Sequence, residues 1–103
     1  MKLEKWRKIS REEQILNIAS ELSRAKFWLG KKNEEEFLNC LNRAFELIDL
    51  TIDSWRGKSL KEFLRFREVL AQFYVNKEKN PEDFKKALKT LLLFNKFTSS
   101  VQI

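Results

Sequence analysis

Residues 10–37 read SREEQILNIASELSRAKFWLGKKNEEEF, and this stretch decides the fold. It opens on Ser10-Arg11-Glu12-Glu13, a capping box: Ser10 can accept the amide of the third helical residue, and Glu13 can reach back. Apolar residues then recur at spacings of three and four, as Ile15, Ile18, Ala19, Leu22, Ala25 and Leu29. Gly30 follows, where a helix places the residue after its C-cap. Asn33-Glu34-Glu35-Glu36 begins again, with three acids beside the positive end of a new helix dipole. A start, an apolar stripe, a stop and a second start sit end to end, all at the helical period.

The rest of the chain repeats this grammar. Ser59-Leu60-Lys61-Glu62 is a further capping box, and Asn80-Pro81-Glu82-Asp83 a further start, with Pro81 where its missing N–H costs nothing. Gly57 is expected to stop the second helix. Apolar faces follow each start: Phe37, Leu38, Leu41, Ala44, Phe45, Ile48, Ile52 and Trp55; then Leu60, Phe63, Leu64, Leu70, Ala71 and Tyr74; then Phe84, Ala87, Leu88, Leu91 and Leu92, continuing to Asn95. Helices are therefore predicted over 10–29, 34–55, 60–76 and 81–97. The links near 30–33, 56–59 and 76–80 are short, and short links make antiparallel neighbours. The expected fold is all-α, a compact up-down-up-down four-helix bundle. It forms a single domain over 1–103, preceded by a short basic N-terminal segment and followed by a frayed tail at 98–103.

Composition agrees. Two Gly and one Pro in 103 residues are too few for the many turns of an all-β fold. At 43% hydrophobic, with nine Phe and three Trp, the chain is too apolar for disorder. Its lone cysteine, Cys40, excludes an internal disulfide and a Cys-based zinc cage, and reads as a filler on a helix flank. The absence of His removes the usual general base, zinc ligand and pH switch together. Two isolated glycines cannot make a phosphate-cradling loop, and the paired acids sit in first turns, where capping explains them. No cofactor, no metal and no catalytic constellation are expected. No apolar run approaches the roughly 18–20 residues of a membrane span. The basic N-terminus leads into no apolar signal region, so a cytoplasmic location is expected. The first two predicted helices are superficially similar to one tetratricopeptide unit, but Phe37 fills the position that must be small and no second copy follows.

Some residues do not fit simple amphipathicity. In the third predicted helix, Phe66, Val69 and Phe73 widen the apolar arc beyond one stripe. Either this helix is the most central and touches two neighbours, or Phe66 and Phe73 form an exposed docking patch. Arg67 lies on the same apolar face. It must snorkel, pair with an acid such as Asp49, or wait for a partner carboxylate or phosphate. In the first helix Leu16, Ser20, Ser23 and Phe27 make a second seam, suited to a homodimer or to the N-terminal segment carrying Trp6 and Ile9. Trp28 lies on the opposite flank and joins Phe66, Arg67 and Phe73 as a candidate interaction residue.

The net charge is +6 and unevenly spread: residues 1–32 and 58–103 each carry +5, and residues 33–57 carry −4. An acidic helix among basic ones relieves their repulsion, or meets a basic face across a dimer. Lys58, Lys61 and Arg65 share one stripe, and Lys85, Lys89 and Lys96 another; these are the candidate phosphate contacts. A pI near 9.6 suits nucleic acid, yet no known recognition element accompanies it. The function expected is therefore a non-catalytic protein-interaction or self-associating module with a protein partner or a second copy. The alternative is a nucleic-acid-associated protein using the basic stripes.

Overall fold

The computed structural model describes residues 3–94. It contains five helices, α1 (Leu3–Lys8), α2 (Arg11–Gly30), α3 (Glu34–Ser54), α4 (Gly57–Val75) and α5 (Pro81–Leu92), with no strand among the described residues. The all-α class expected from the sequence is the class observed. The basic N-terminal segment is itself helical. Asn95 and Lys96 lie outside the described residues, as does the tail 98–103.

Three of the expected caps form. Ser10 Oγ accepts from the Glu13 amide at 3.2 Å, and Asn33 Oδ1 from the Glu36 amide at 3.1 Å. Asn80 Oδ1 accepts from the Glu82 and Asp83 amides at 2.8 and 3.3 Å. Two expectations need correction. Gly30 is the last helical residue of α2, and the left-handed position falls two residues later, on Lys32 with φ 59°. The amides of Lys32 and Asn33 bond back to the carbonyls of Leu29 and Trp28 at 3.1 and 3.0 Å, which is a Schellman stop. The Ser59 box is not used either. α4 begins at Gly57 behind Arg56, which makes no side-chain cap bond. Gly57 does not follow α3 as a spacer; with φ 67° it turns the chain directly into α4. The cause is Trp55, whose side chain is buried and whose extended backbone leaves only two residues between the helices.

Neighbouring pairs can be read from their contacts. Glu21 of α2 meets Arg43 of α3, while Gln14 meets Trp55. Phe45 of α3 meets Tyr74 of α4, while Trp55 meets Phe63. Phe66 and Phe73 of α4 meet Phe94 and Phe84. Each of these consecutive pairs runs antiparallel, and α5 closes back on α2. α1 packs on α3. The apolar face predicted for residues 15–25 is the buried face of α2, and the one predicted for 84–92 that of α5.

α4 departs from the prediction. It buries Phe63, Phe66 and Leu70, three residues in nineteen, where α5 buries five in twelve. It touches two neighbours, α3 and α5, as its wide apolar arc anticipates, but it is not the most central helix. Leu64 and Tyr74, expected in the core, are exposed. The helix is rotated so that Phe66 joins Phe63 and Leu70 inside while Leu64 and Tyr74 turn outward. Rings bury more area than Leu64 can, and Phe63 and Phe66 join Trp55 and Phe94 in one aromatic cluster with centroids 4.7–6.0 Å apart.

A buried polar network escaped the sequence reading. The Trp6 indole donates to Thr51 Oγ1 at 2.8 Å, and Thr51 in turn donates to the Leu47 carbonyl at 2.8 Å. The Gln14 amide nitrogen donates to the Trp6 carbonyl at 3.0 Å, and its oxygen accepts from the Trp55 indole at 3.2 Å. Gln14 sits four residues before Ile18, on the same face as the apolar stripe, but its polar side chain leaves it out of an apolar count. Its signal is the pair of tryptophans, each with an N–H that needs an acceptor once buried.

Candidate interaction surface

The rotation of α4 decides where the candidate residues lie. Phe66, expected as part of an exposed patch, is 3% exposed and belongs to the core. Phe73 is half-buried and packs edge-on against Phe84 at 5.1 Å. Both are corrected from surface to floor. What stands above them is the open groove between α4 and α5. Its upper half, a cavity of about 340 Å³, is lined by Glu62, Arg65, Phe66, Val69, Ala87, Thr90, Leu93 and Phe94. Its lower half continues through Glu68, Gln72, Phe73, Glu78, Asp83 and Lys86. Val69, Ala87 and Thr90 line both halves. Val69 is 53% and Leu93 70% exposed. Val69 belongs to the widened apolar arc of the sequence; Leu93 lies outside every predicted apolar face, and its exposure follows from its place just after the last turn of α5.

The other candidates separate from this groove. Arg67 pairs with Asp49, Nε to Oδ1 at 2.9 Å, and its guanidinium lies 5.1 Å from the Phe45 ring. That places it with the structural expectation, on the α3 side of α4. Trp28 is half-buried at the far end of α2, edge-on to Phe27 at 5.0 Å. Phe27, Ser20 and Ser23 remain exposed, because α1 carries Trp6 onto α3 and not onto that seam. Lys58, Lys61 and Arg65 are exposed and make no ion pair among the described residues; Arg65 lines the groove. Lys85 is half-buried and Lys89 exposed, and Lys96 lies outside the described residues.

The acidic helix does relieve its basic neighbours. Asp53 pairs with Arg7, Asp49 with Arg67, and Glu34 with Lys79. The Arg7 and Arg67 pairs are solvent-exposed, and exposed pairs contribute about 0–1 kcal/mol each. Cys40 is buried, with Arg43 Nη2 3.1 Å from its sulfur. Burial pushes its thiol above the ordinary value, and the Arg43 charge only partly opposes this. Among the described residues no group of acids and cysteine could hold a metal, and no helix is long and apolar enough to cross a membrane. Comparison with protein families, curated proteins and solved structures finds no match.

Proposed function

We propose that this protein is a non-catalytic, self-associating interaction module whose contact surface is the α4–α5 groove. The observation that carries the reading is the apolar floor of Phe66, Phe73 and Ala87 beneath two exposed aliphatic side chains, Val69 and Leu93. An apolar groove with polar rims is the usual form of a helix-docking surface.

The rim charges select a second copy as the occupant. Arg65 and Glu62 line the upper half, and Lys61 and Lys58 precede Arg65 on α4 by about one and two turns. Around the lower half lie Glu68, Glu78 and Asp83 against Lys86. A two-fold interface must be complementary to itself. An axis along the helices would set the basic half on the basic half. An axis across them, through Val69, Ala87 and Thr90, sets basic on acidic and lays α4 antiparallel to its copy. Lys61 then faces Glu78 of the second chain.

Sedimentation equilibrium tests this. A dimer is expected, and Leu93→Asp should shift the mass to monomer with helicity unchanged. Lys61→Glu and Glu78→Lys should each weaken the dimer, and the two together in one chain should restore it. A concentration-independent monomer mass for the unaltered protein would overturn the reading, and so would charge reversals that leave association unmoved. Monomer together with salt-steep binding of RNA or DNA, lost in Lys61→Glu, would transfer the basic stripe to nucleic acid.

A further inference from the structure

At the end of the molecule where α1, α2 and the α3–α4 link meet, one open cavity of about 330 Å³ is lined by Arg7, Arg11 and Arg56, with Gln14 and Trp55 as its wall. No acidic residue among those described lines it. Three guanidiniums around one space repel one another, and in water that repulsion is relieved by an anion between them.

The three are held in place by different means. Arg11 lies flat on the Trp55 indole, its guanidinium carbon 3.9 Å from the ring centroid; stacking fixes the plane of the fork while leaving its edge donors available. Arg56 donates through Nη1 to the carbonyls of Asp53 and Trp55 at 2.8 and 2.7 Å, which anchors one nitrogen and leaves the others. Arg7 pairs with Asp53, and both side chains are about half exposed. The wall itself is rigid, since Gln14 and Trp55 are bonded to each other and buried. Five N–H donors per guanidinium in a fixed fork match the oxygens of a tetrahedral oxyanion, which is why arginines and not lysines build such sites.

We infer that this cavity is a binding site for a phosphate group, gripped by Arg11 and Arg56 and reached by Arg7 once it exchanges Asp53 for the ligand. The cavity is several times the size of a phosphate, so it accommodates a phosphate ester as well as the free ion. It is separate from the α4–α5 groove and does not depend on self-association. The stripe of Lys58, Lys61 and Arg65 does not contribute to its lining.

The test is isothermal titration calorimetry of the full chain at fixed low ionic strength, with inorganic phosphate, adenosine monophosphate and a 5′-phosphorylated single-stranded oligonucleotide as separate ligands. Saturable one-site binding of at least one is expected, accompanied by a change in tryptophan fluorescence in a Trp28→Phe background, where Trp6 and Trp55 are the remaining emitters. The ligand that binds tightest identifies the source of the phosphate. Arg11→Gln should weaken binding by about tenfold or more, since it removes charged hydrogen bonds. Arg11→Lys should recover only part of that, because an ammonium lacks the fork. Asp53→Asn should tighten binding several-fold by releasing Arg7. This is a gain that misfolding cannot produce. Absence of saturable binding for all three ligands would overturn the inference. So would binding that is indifferent to both Arg11→Gln and Asp53→Asn.

Discussion

Gln14 is the residue on which the most interactions converge. Its two amide atoms satisfy Trp6 and Trp55 at once, joining α1, α2 and the end of α3. Gln14→Leu keeps the volume and orphans both partners, and an unsatisfied buried polar group costs about 1–3 kcal/mol. Urea denaturation should show a loss in that range or above it. Backbone conformation gives a second prediction at this scale. Gly57 has open space where an added methyl would stand, yet its φ of 67° is strained for any L side chain. Gly57→Ala should therefore destabilise by about 1–2 kcal/mol. Lys32→Gly should gain up to about 1 kcal/mol by relieving the same strain at the α2 stop. Opposite shifts in Tm for the two substitutions check the pair. Cys40 gives a third. Its thiolate is disfavoured by burial, so alkylation of the folded protein at neutral pH should be far slower than after denaturation. The folded thiol holds its proton to higher pH than the unfolded one. Its contribution to stability is thus complete below the ordinary thiol range and is lost as pH rises through the folded value.

At the scale of elements, α1 is six residues long and could not persist alone. Trp6, completely buried against α3, holds it in place. Trp6→Ala should cost about 3–5 kcal/mol, and far-UV circular dichroism together with urea midpoints would measure it. Three of the four long helices have starts legible in the sequence because those starts are chemical: Ser10, Asn33 and Asn80 each cap the helix that their spacing predicts. The start of α4 was misread because its position is set by tertiary packing. Trp55 is drawn into the core, and the chain must turn within two residues, so Ser59 is carried past the point where it could cap. The rotation of α4 was hidden for a related reason. Its sequence offers two apolar arcs of similar width, and the choice between them is made by aromatic partners from α3 and from just beyond α5, which periodicity within α4 does not report. The groove inherits that ambiguity: Phe66 and Phe73 widen the arc in the sequence, but in the structure they form the groove's floor, and the exposed apolar side chains above them are Val69 and Leu93.

For the whole molecule, the division of charge along the chain becomes a division of labour in space. Three of the six acids of α3, Asp53, Asp49 and Glu34, pair with Arg7, Arg67 and Lys79, and among the described residues other cations are left without an acid partner. Among these are Arg65 at the upper half of the α4–α5 groove and Arg11 and Arg56 of the arginine cavity. The arginine cavity was not legible because Arg7, Arg11 and Arg56 are far apart in sequence and share no periodicity. One more property follows from Trp55. Through Gln14 it is tied to Trp6, and its own ring lies 5.9 Å from Phe94. The first and last parts of the described chain therefore converge on a single indole. A circular permutant should fold: the two ends joined by a flexible linker, and the chain reopened between the exposed Lys77 and Glu78, which spares the Asn80 cap. Cooperative urea unfolding with native helicity is the expected result, and a loss of cooperativity would show that the order of connection matters. The expected result would make the packing of these helices independent of which of them the ribosome makes first.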